Sequence, residues 1–211
     1  KPRYFVMENV PNLLTTSSGY FKKEIHDIFS KMGYAVNMGV LNAADYGVPQ
    51  NRRRAIIVGT LSEKKVDLPD KIHSKVTTWD AISDLAYLQS GEGEFKQKYK
   101  VDSQTIYQET LRMGSNYLYN HVVTNHSDVA RQRMGMIPMN GDRNDLPNSE
   151  RTKSIYSGTW GRIIKNSQSV TITTRFDTPS SGRFIHPFLD RAITVREAAR
   201  IQSFSDQIIF W

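Results

Sequence analysis

Glu8 closes a short apolar run, Phe5-Val6-Met7-Glu8-Asn9-Val10. At the end of a buried strand, desolvation raises a carboxyl's pKa toward the range useful for proton delivery. A second cluster, Gln50-Asn51-Arg52-Arg53-Arg54, places Gln50, Arg52 and Arg54 on one face of an extended chain, with Arg53 on the other. Guanidinium groups so aligned suit a phosphate. A third segment runs from Arg183 through Phe204 and carries His186-Pro187, Arg191, Glu197, Arg200 and Gln202. Each has a bland reading when taken alone. A strand-end Glu-Asn is more often structural than catalytic, and an arginine run is more often a solvated or phosphate-positioning surface.

These residues need elements to position them. Arg3–Val10 reads as a buried parallel strand with site residues at its C-terminal end. Phe21, Ile25, Ile28, Phe29 and Met32 give Gly19–Met32 the spacing of an amphipathic helix, and Gly33 stands where a C-cap glycine belongs. Tyr34–Leu41 and Ala55–Thr60 read as strands, joined as neighbours by the loop Asn42–Arg54. This βαββ pattern is the tail of an α/β sheet. Beyond Leu61, periodicity weakens and turn signals multiply at Ser90-Gly91, Asn140-Gly141, Pro147-Asn148 and Ser157-Gly158. Short helices are expected at Trp79–Leu88 and Ser127–Met136, and a β-branched strand at Ser169–Arg175, in a loop-rich α+β region. Thr194–Phe204 reads as a helix capped by Thr194 and Glu197, with Glu197 and Arg200 spaced to pair on one face.

Composition narrows the class. Hydrophobic residues make up 38% of the 211 and charged residues 23%, as expected of a soluble globular chain. No apolar run approaches the ~18 residues of a membrane span, no signal-peptide pattern opens the chain, and a cytoplasmic location is expected. With no cysteine there is neither disulfide nor Cys–zinc site. The net charge of +7 favours a polyanionic partner, and residues 96–182 carry twelve Lys and Arg against seven Asp and Glu. Lys1 is not an initiator methionine and the chain stops in Ile208-Ile209-Phe210-Trp211, so both ends are expected to be cut ends.

In order and spacing, the three segments resemble the later motifs of the DNA cytosine-5 methyltransferases. The resemblance covers residues 1–60 and about 170–206 well, and Thr78–Leu85 (TWDAISDL) looks like a further segment many members carry. It implies the end of the sheet of an S-adenosylmethionine (SAM)-dependent methyltransferase in residues 1–60. A target-recognition domain follows in 61–182, and a motif segment with its linking helix in 183–211. In that family a thiolate adds to C6 of a flipped cytosine and C5 then attacks the SAM methyl. By resemblance Glu8 contacts N3 and the exocyclic amine while Arg54 reaches O2. Asn9, Gln50 and Arg52 support the base pocket and its loop. His186, Arg191, Glu197, Arg200 and Gln202 are architectural.

The resemblance puts duplex DNA against residues 96–182, where Lys96, Lys98, Lys100, Arg131, Arg133, Arg143, Arg162, Lys165 and Arg175 are expected phosphate contacts. Thr173 matches a threonine used beside the flipped base's phosphate, and reversing Arg162 and Lys165 to glutamate is expected to weaken binding to all sequences. The family's cysteine nucleophile and glycine-rich SAM loop precede these motifs, and a closing helix follows Phe204. None of them is in this sequence. The expectation is the C-terminal portion of a bacterial or phage-type enzyme, inactive and without SAM by itself. It would be completed by an N-terminal catalytic segment in the same polypeptide or a second chain. A different class stays open, a non-enzymatic DNA-specificity subunit of a split methyltransferase. An RNA substrate fits less well, given the long region 61–182. His121 and His126 lack a third ligand nearby, and Gly91-Glu92-Gly93 lacks the strand–helix context of a phosphate loop. No metal is therefore expected.

Overall fold

The computed structural model describes residues 1–62, 64–154 and 158–211, and the chain in it divides into two compact units. The first comprises Lys1–Gly47 and Arg52–Ser74, the second Val48–Asn51 and Lys75–Trp211. Ser157 of the Ser157-Gly158 turn signal lies outside the described residues.

In the first unit β1 (Tyr4–Asn9), α1 (Asn12–Thr15), α2 (Tyr20–Lys31), β2 (Ala35–Asn42) and β3 (Arg53–Thr60) follow one another. β3 lies in the middle of the sheet, antiparallel to both neighbours, in the order β1-β3-β2. β1 and β2 therefore run the same way, with α2 in the crossover between them. Leu14, Tyr34, Val36, Ala55 and Ile57 form the core, joined by Phe5, Ile25 and Phe29. Phe5 stacks on Phe29 at 4.3 Å between ring centroids. Gly59 permits this, since a Cβ there would stand 2.0 Å from the Phe5 ring. Gly33, at φ +90°, turns the chain out of α2 as expected.

Two expectations for this unit are corrected. β1 is a strand, but an edge strand with only Phe5 half-buried; Val6 is 68% exposed. An edge strand has a neighbour on one side only, and α2 covers just the Phe5 face. Of the expected α2 stripe, Ile25 and Phe29 meet the core while Phe21, Ile28 and Met32 stay exposed.

The second unit contains α3 (Thr78–Ile82) with a 3-10 turn Ser83–Leu85, β4 (Gly93–Gln97), α4 (Ile106–Arg112), β5 (Leu118–Val122), α5 (Asp128–Gly135) and α6 (Val195–Ile201). α3, α5 and α6 stand where the sequence places helices. Thr194 caps α6 in a full capping box with Glu197. The antiparallel pair β4–β5 and helix α4 carry no usable periodicity: β4 is exposed almost throughout, and Ile106 opens α4 facing solvent. The β-branched run Ser169–Arg175 is not a strand. It makes one parallel bridge, Gln50 to Ser169, and then turns at Thr174, because the partner segment Val48–Asn51 is too short to extend a ladder. Two apolar clusters hold the unit, one around Ile82, Ile163, Phe184, Ile193 and Ile201, the other around Met134, Ile137, Leu146, Trp160 and Ile185.

Candidate active site and nucleic-acid interface

The β1–β3 register sets Glu8 opposite Ile56, so Arg54, two residues earlier on β3, lies diagonally across on the same face. Its Nε donates to Glu8 Oε1 at 2.7 Å, and its Nη1 to the Arg53 carbonyl at 2.8 Å. Two segments far apart in the chain thus bring a carboxylate and a guanidinium together at one end of the sheet. The desolvation expected around Glu8 is absent: half of its side chain is exposed, because the edge strand leaves that face uncovered. Asn9 uses its Oδ1 locally, accepting from the Val10 N–H at 2.8 Å. Arg52 is half-buried and Arg53 exposed.

β3 starts at Arg53, so the expected alternation does not reach back to Gln50. Gln50 belongs to the second unit, where the Asn51 N–H donates to the Ser169 carbonyl at 2.8 Å and the Ser169 N–H to the Pro49 carbonyl at 2.9 Å.

The expected phosphate contacts separate by burial. Arg131 and Arg175 are exposed, although Arg131 pairs with Asp128. Arg133 pairs with Glu150 and lies over Trp160, and Arg143 donates to the Thr152 carbonyl. Lys165 sits between Trp79 and Phe188, 4.9 and 5.1 Å from the ring centroids. Lys96 lies over Tyr117 and Lys100 over Tyr87, while Lys98 is exposed. Arg162 is a correction. It is buried, donating to the carbonyls of Ile137, His186, Leu189 and Met134 and pairing with Asp190. Its four carbonyl partners exclude a phosphate contact, and Arg162→Glu would break the unit instead of reporting on binding.

Thr173 and Arg175 do share a surface. They line a hollow of about 450 Å³ with Ser154, Thr174, Thr178, Ser180 and Ser181, a set of hydroxyls around one guanidinium that suits an anionic oxygen. For all but Ser154, the density of Ser and Thr after Ser167 is the signal in the sequence.

Arg191, Glu197 and Arg200 of the third segment are buried and paired. Arg191 grips Glu197 with two bonds of 2.7 and 2.8 Å. Arg200 donates to Asp84 at 2.6 Å and to Asp206 at 2.6 and 3.0 Å. The expected Glu197–Arg200 pair does not form, since each finds a better-aligned partner outside the helix. Burial works against the Glu197 carboxylate, yet Arg191 overrides it and holds the pKa at about 2. Burial likewise works against charged Arg200, and Asp206 and Asp84 hold its pKa above the ordinary arginine value. Gln202 bonds back to the Ala198 carbonyl. Asp84 and Asp206 are partners that spacing alone did not reveal.

Three buried histidines are kept neutral by what they bond. His186 Nδ1 accepts the N–H groups of Phe188 and Leu189, His126 Nε2 accepts that of Ala192, and His121 lies between Thr194 Oγ1 and the Leu85 carbonyl. Burial lowers the His186 pKa to about 3 and that of His121 to about 4, and it lowers His126 as well. Among the described residues no three His, Asp or Glu side chains form a metal-binding group, and no helix is long and apolar enough to cross a membrane.

Among the described residues, neither of two candidate turns has the glycine-rich strand–helix form of a SAM loop. The turn after β1 leads through Val10 and Pro11 into the four-residue α1 without glycine, and Gly91-Glu92-Gly93 leads into a strand.

The whole chain, residues 1–211, matches the profile of the C-5 cytosine-specific DNA methylase family. It is 36% identical to type II methyltransferase M.DdeI of Desulfomicrobium norvegicum over 99% of this chain and 54% of that protein. With type II methyltransferase M1.HphI of Haemophilus parahaemolyticus it shares 34% identity over 100% of this chain and 50% of that one. The chain spans about half the length of these curated relatives. A crystallised E. coli prophage protein described as a DNA modification methyltransferase superposes with a TM-score of 0.70 at 23% identity, over 97% of this chain and 60% of the other. At that identity the likeness concerns the fold.

Proposed function

Since this chain belongs to the C-5 cytosine-specific DNA methylase family, we propose that it is the C-terminal portion of an enzyme that methylates C5 of cytosine in duplex DNA. The observation that carries this reading is the Glu8–Arg54 pair at 2.7 Å. A flipped cytosine placed against the pair would present N3 and its amine to Glu8 and O2 to Arg54. Addition at C6 builds negative charge on O2, which Arg54 would stabilise, while Glu8 holds a proton at N3. In the resting state the two charges satisfy one another. The base would replace part of that mutual contact.

The nucleophile and the binding site for the methyl donor, SAM in the intact enzyme, would come from polypeptide outside this sequence. The hollow around Thr173 and Arg175, with the exposed Arg131, would meet DNA phosphates, and the buried arginines would hold the recognition unit in shape. The exposed apolar side chains of β1 and α2 are the face that the rest of the catalytic sheet would cover.

Two measurements test the reading. A labelled-SAM assay on mixed-sequence DNA should give background counts for this chain alone, and sustained turnover would refute the partial-enzyme reading. DNA titration should give weak binding, roughly micromolar to 100 micromolar, falling steeply with salt. Arg131→Glu with Arg175→Glu should weaken it for every sequence, while Arg54→Ala leaves it nearly unchanged. Absence of binding at low salt, or a dominant effect of Arg54, would overturn the division of roles.

A further inference from the structure

Aromatic and basic side chains form a continuous surface patch at the β4–β5 pair of the second unit. The register sets Lys96 opposite Tyr119, and the Lys96 ammonium lies 4.3 Å from the Tyr117 ring centroid and 5.7 Å from that of Tyr119. Phe95 meets Tyr119 edge-on at 6.0 Å and Trp211 at 5.4 Å. Phe95 and Tyr117 are 42% and 38% exposed. Apolar side chains exposed singly are ordinary on a surface, whereas rings in mutual contact make a platform.

Lys98 and Lys100 continue from Lys96 at every second residue, and all three are exposed. Among the described residues the lysines paired with a carboxylate are Lys23 with Asp27 and Lys71 with Asp45, so this row keeps its charge for an outside anion. Arginines of the same unit are mostly neutralised, Arg112 by Asp84, Arg133 by Glu150 and Arg183 by Asp142. Glu94 is the one carboxylate within residues 94–100, and Glu92 beside it accepts the Gln89 N–H. Lys98 and Lys100 also line a hollow of about 450 Å³ along the same strand.

We propose that the β4–β5 face binds single-stranded nucleic acid, with its rings stacking on unpaired bases and Lys96, Lys98 and Lys100 meeting the phosphates. Resemblance alone reads these lysines as contacts to duplex DNA, and the rings beside them change the ligand. In a duplex each base face is covered by its neighbour, so a protein ring finds nothing to stack on. An unpaired base offers its face whatever its identity. An exposed ammonium–ring contact is weak, so Lys96 can leave Tyr117 for a phosphate and free the ring for a base. An acidic peptide would meet the lysines and leave the rings unused. The patch shares no residue with the hollow around Thr173 and Arg175.

Fluorescence anisotropy of the 211-residue chain with labelled oligothymidylate and oligouridylate of about twelve nucleotides, within the span of one single-strand site, tests this. At low salt at least one should bind, and the stronger of the two identifies the source as DNA or RNA. Phe95→Ala with Tyr117→Ala should weaken that binding at least ten-fold and leave binding of a mixed-sequence duplex unchanged. Lys96→Glu with Lys98→Glu should weaken it too and flatten its salt dependence. The lysine pair alters only exposed side chains, and Tyr117→Phe, which keeps the ring, should bind like the parent, so both keep the test decisive if the alanine pair unfolds. No binding of either strand at low salt, full affinity in the lysine pair or in a folded alanine pair, or an equal loss of duplex binding would overturn the proposal. Polyglutamate competing as well as the oligonucleotide would replace it with an acidic-peptide surface. Binding of single strands without any binding of duplex would sink the duplex reading and leave this one standing.

Discussion

Glu197→Gln should destabilise the second unit by about 3–5 kcal/mol, the cost typical of leaving one member of a buried ion pair without its partner. Glu197 and Arg191 are both fully buried. The carboxylate accepts two bonds from Arg191 and a third from the Thr194 N–H at 2.8 Å, so it holds the α6 cap and the 191–197 turn together. Glutamine keeps the shape but loses the charge, and it sets an amide N–H₂ against guanidinium donors. Arg191→Met should cost a similar amount and also release the carbonyls of Leu88 and Ala192, which Arg191 now satisfies. The pair acts as one unit, so Arg191→Met with Glu197→Gln should lose clearly less than the two singles added together. Urea unfolding of the four proteins measures that coupling. A coupling below about 1 kcal/mol, the range of exposed pairs, would show that the bonds carry little of the stability.

Lowering the pH from 7 to 5 should remove about 2 kcal/mol of stability for each of His121 and His186. Their folded pKa values, about 4 and about 3, lie below the unfolded value of 6.5, so between those limits the unfolded chain binds more protons. The stabilisation is therefore complete above pH 6.5 and is lost as pH falls through the folded values. Glu197, at about 2 against a reference of 4.5, adds a loss of the same sign at lower pH. Burial is the cause in both, and the His186 Nδ1 already accepts two N–H groups. Denaturant midpoints measured from pH 7 to pH 4 should fall steeply, and His186→Asn should flatten the slope while lowering stability at pH 7. An unchanged midpoint down to pH 5 would contradict both burials.

The sequence by itself determined the family, through three segments whose order and spacing are rare together, and it located α2, α6 and the strands of the first unit. Those elements were legible because local rules govern them: periodicity for α2, a capping box for α6, alternation for β2 and a β-rich run for β3. It also named Glu8 and Arg54, but their meeting was decided by strand register, since β3 enters the sheet between β1 and β2 and antiparallel to both. Strand order left β1 at an edge, exposing a strand that its apolar composition marks for burial. Charge counting could not tell Arg162 and Arg191 from Arg131 and Arg175, because a guanidinium's role depends on whether carbonyls and carboxylates converge on it or water does. Those carbonyls, from Ile137, His186, Leu189 and Leu88, come from turns distant in sequence. Gln50 is the same case in reverse: its type and spacing suggested a pocket residue, and only packing showed an amide enclosed without a partner among the described residues.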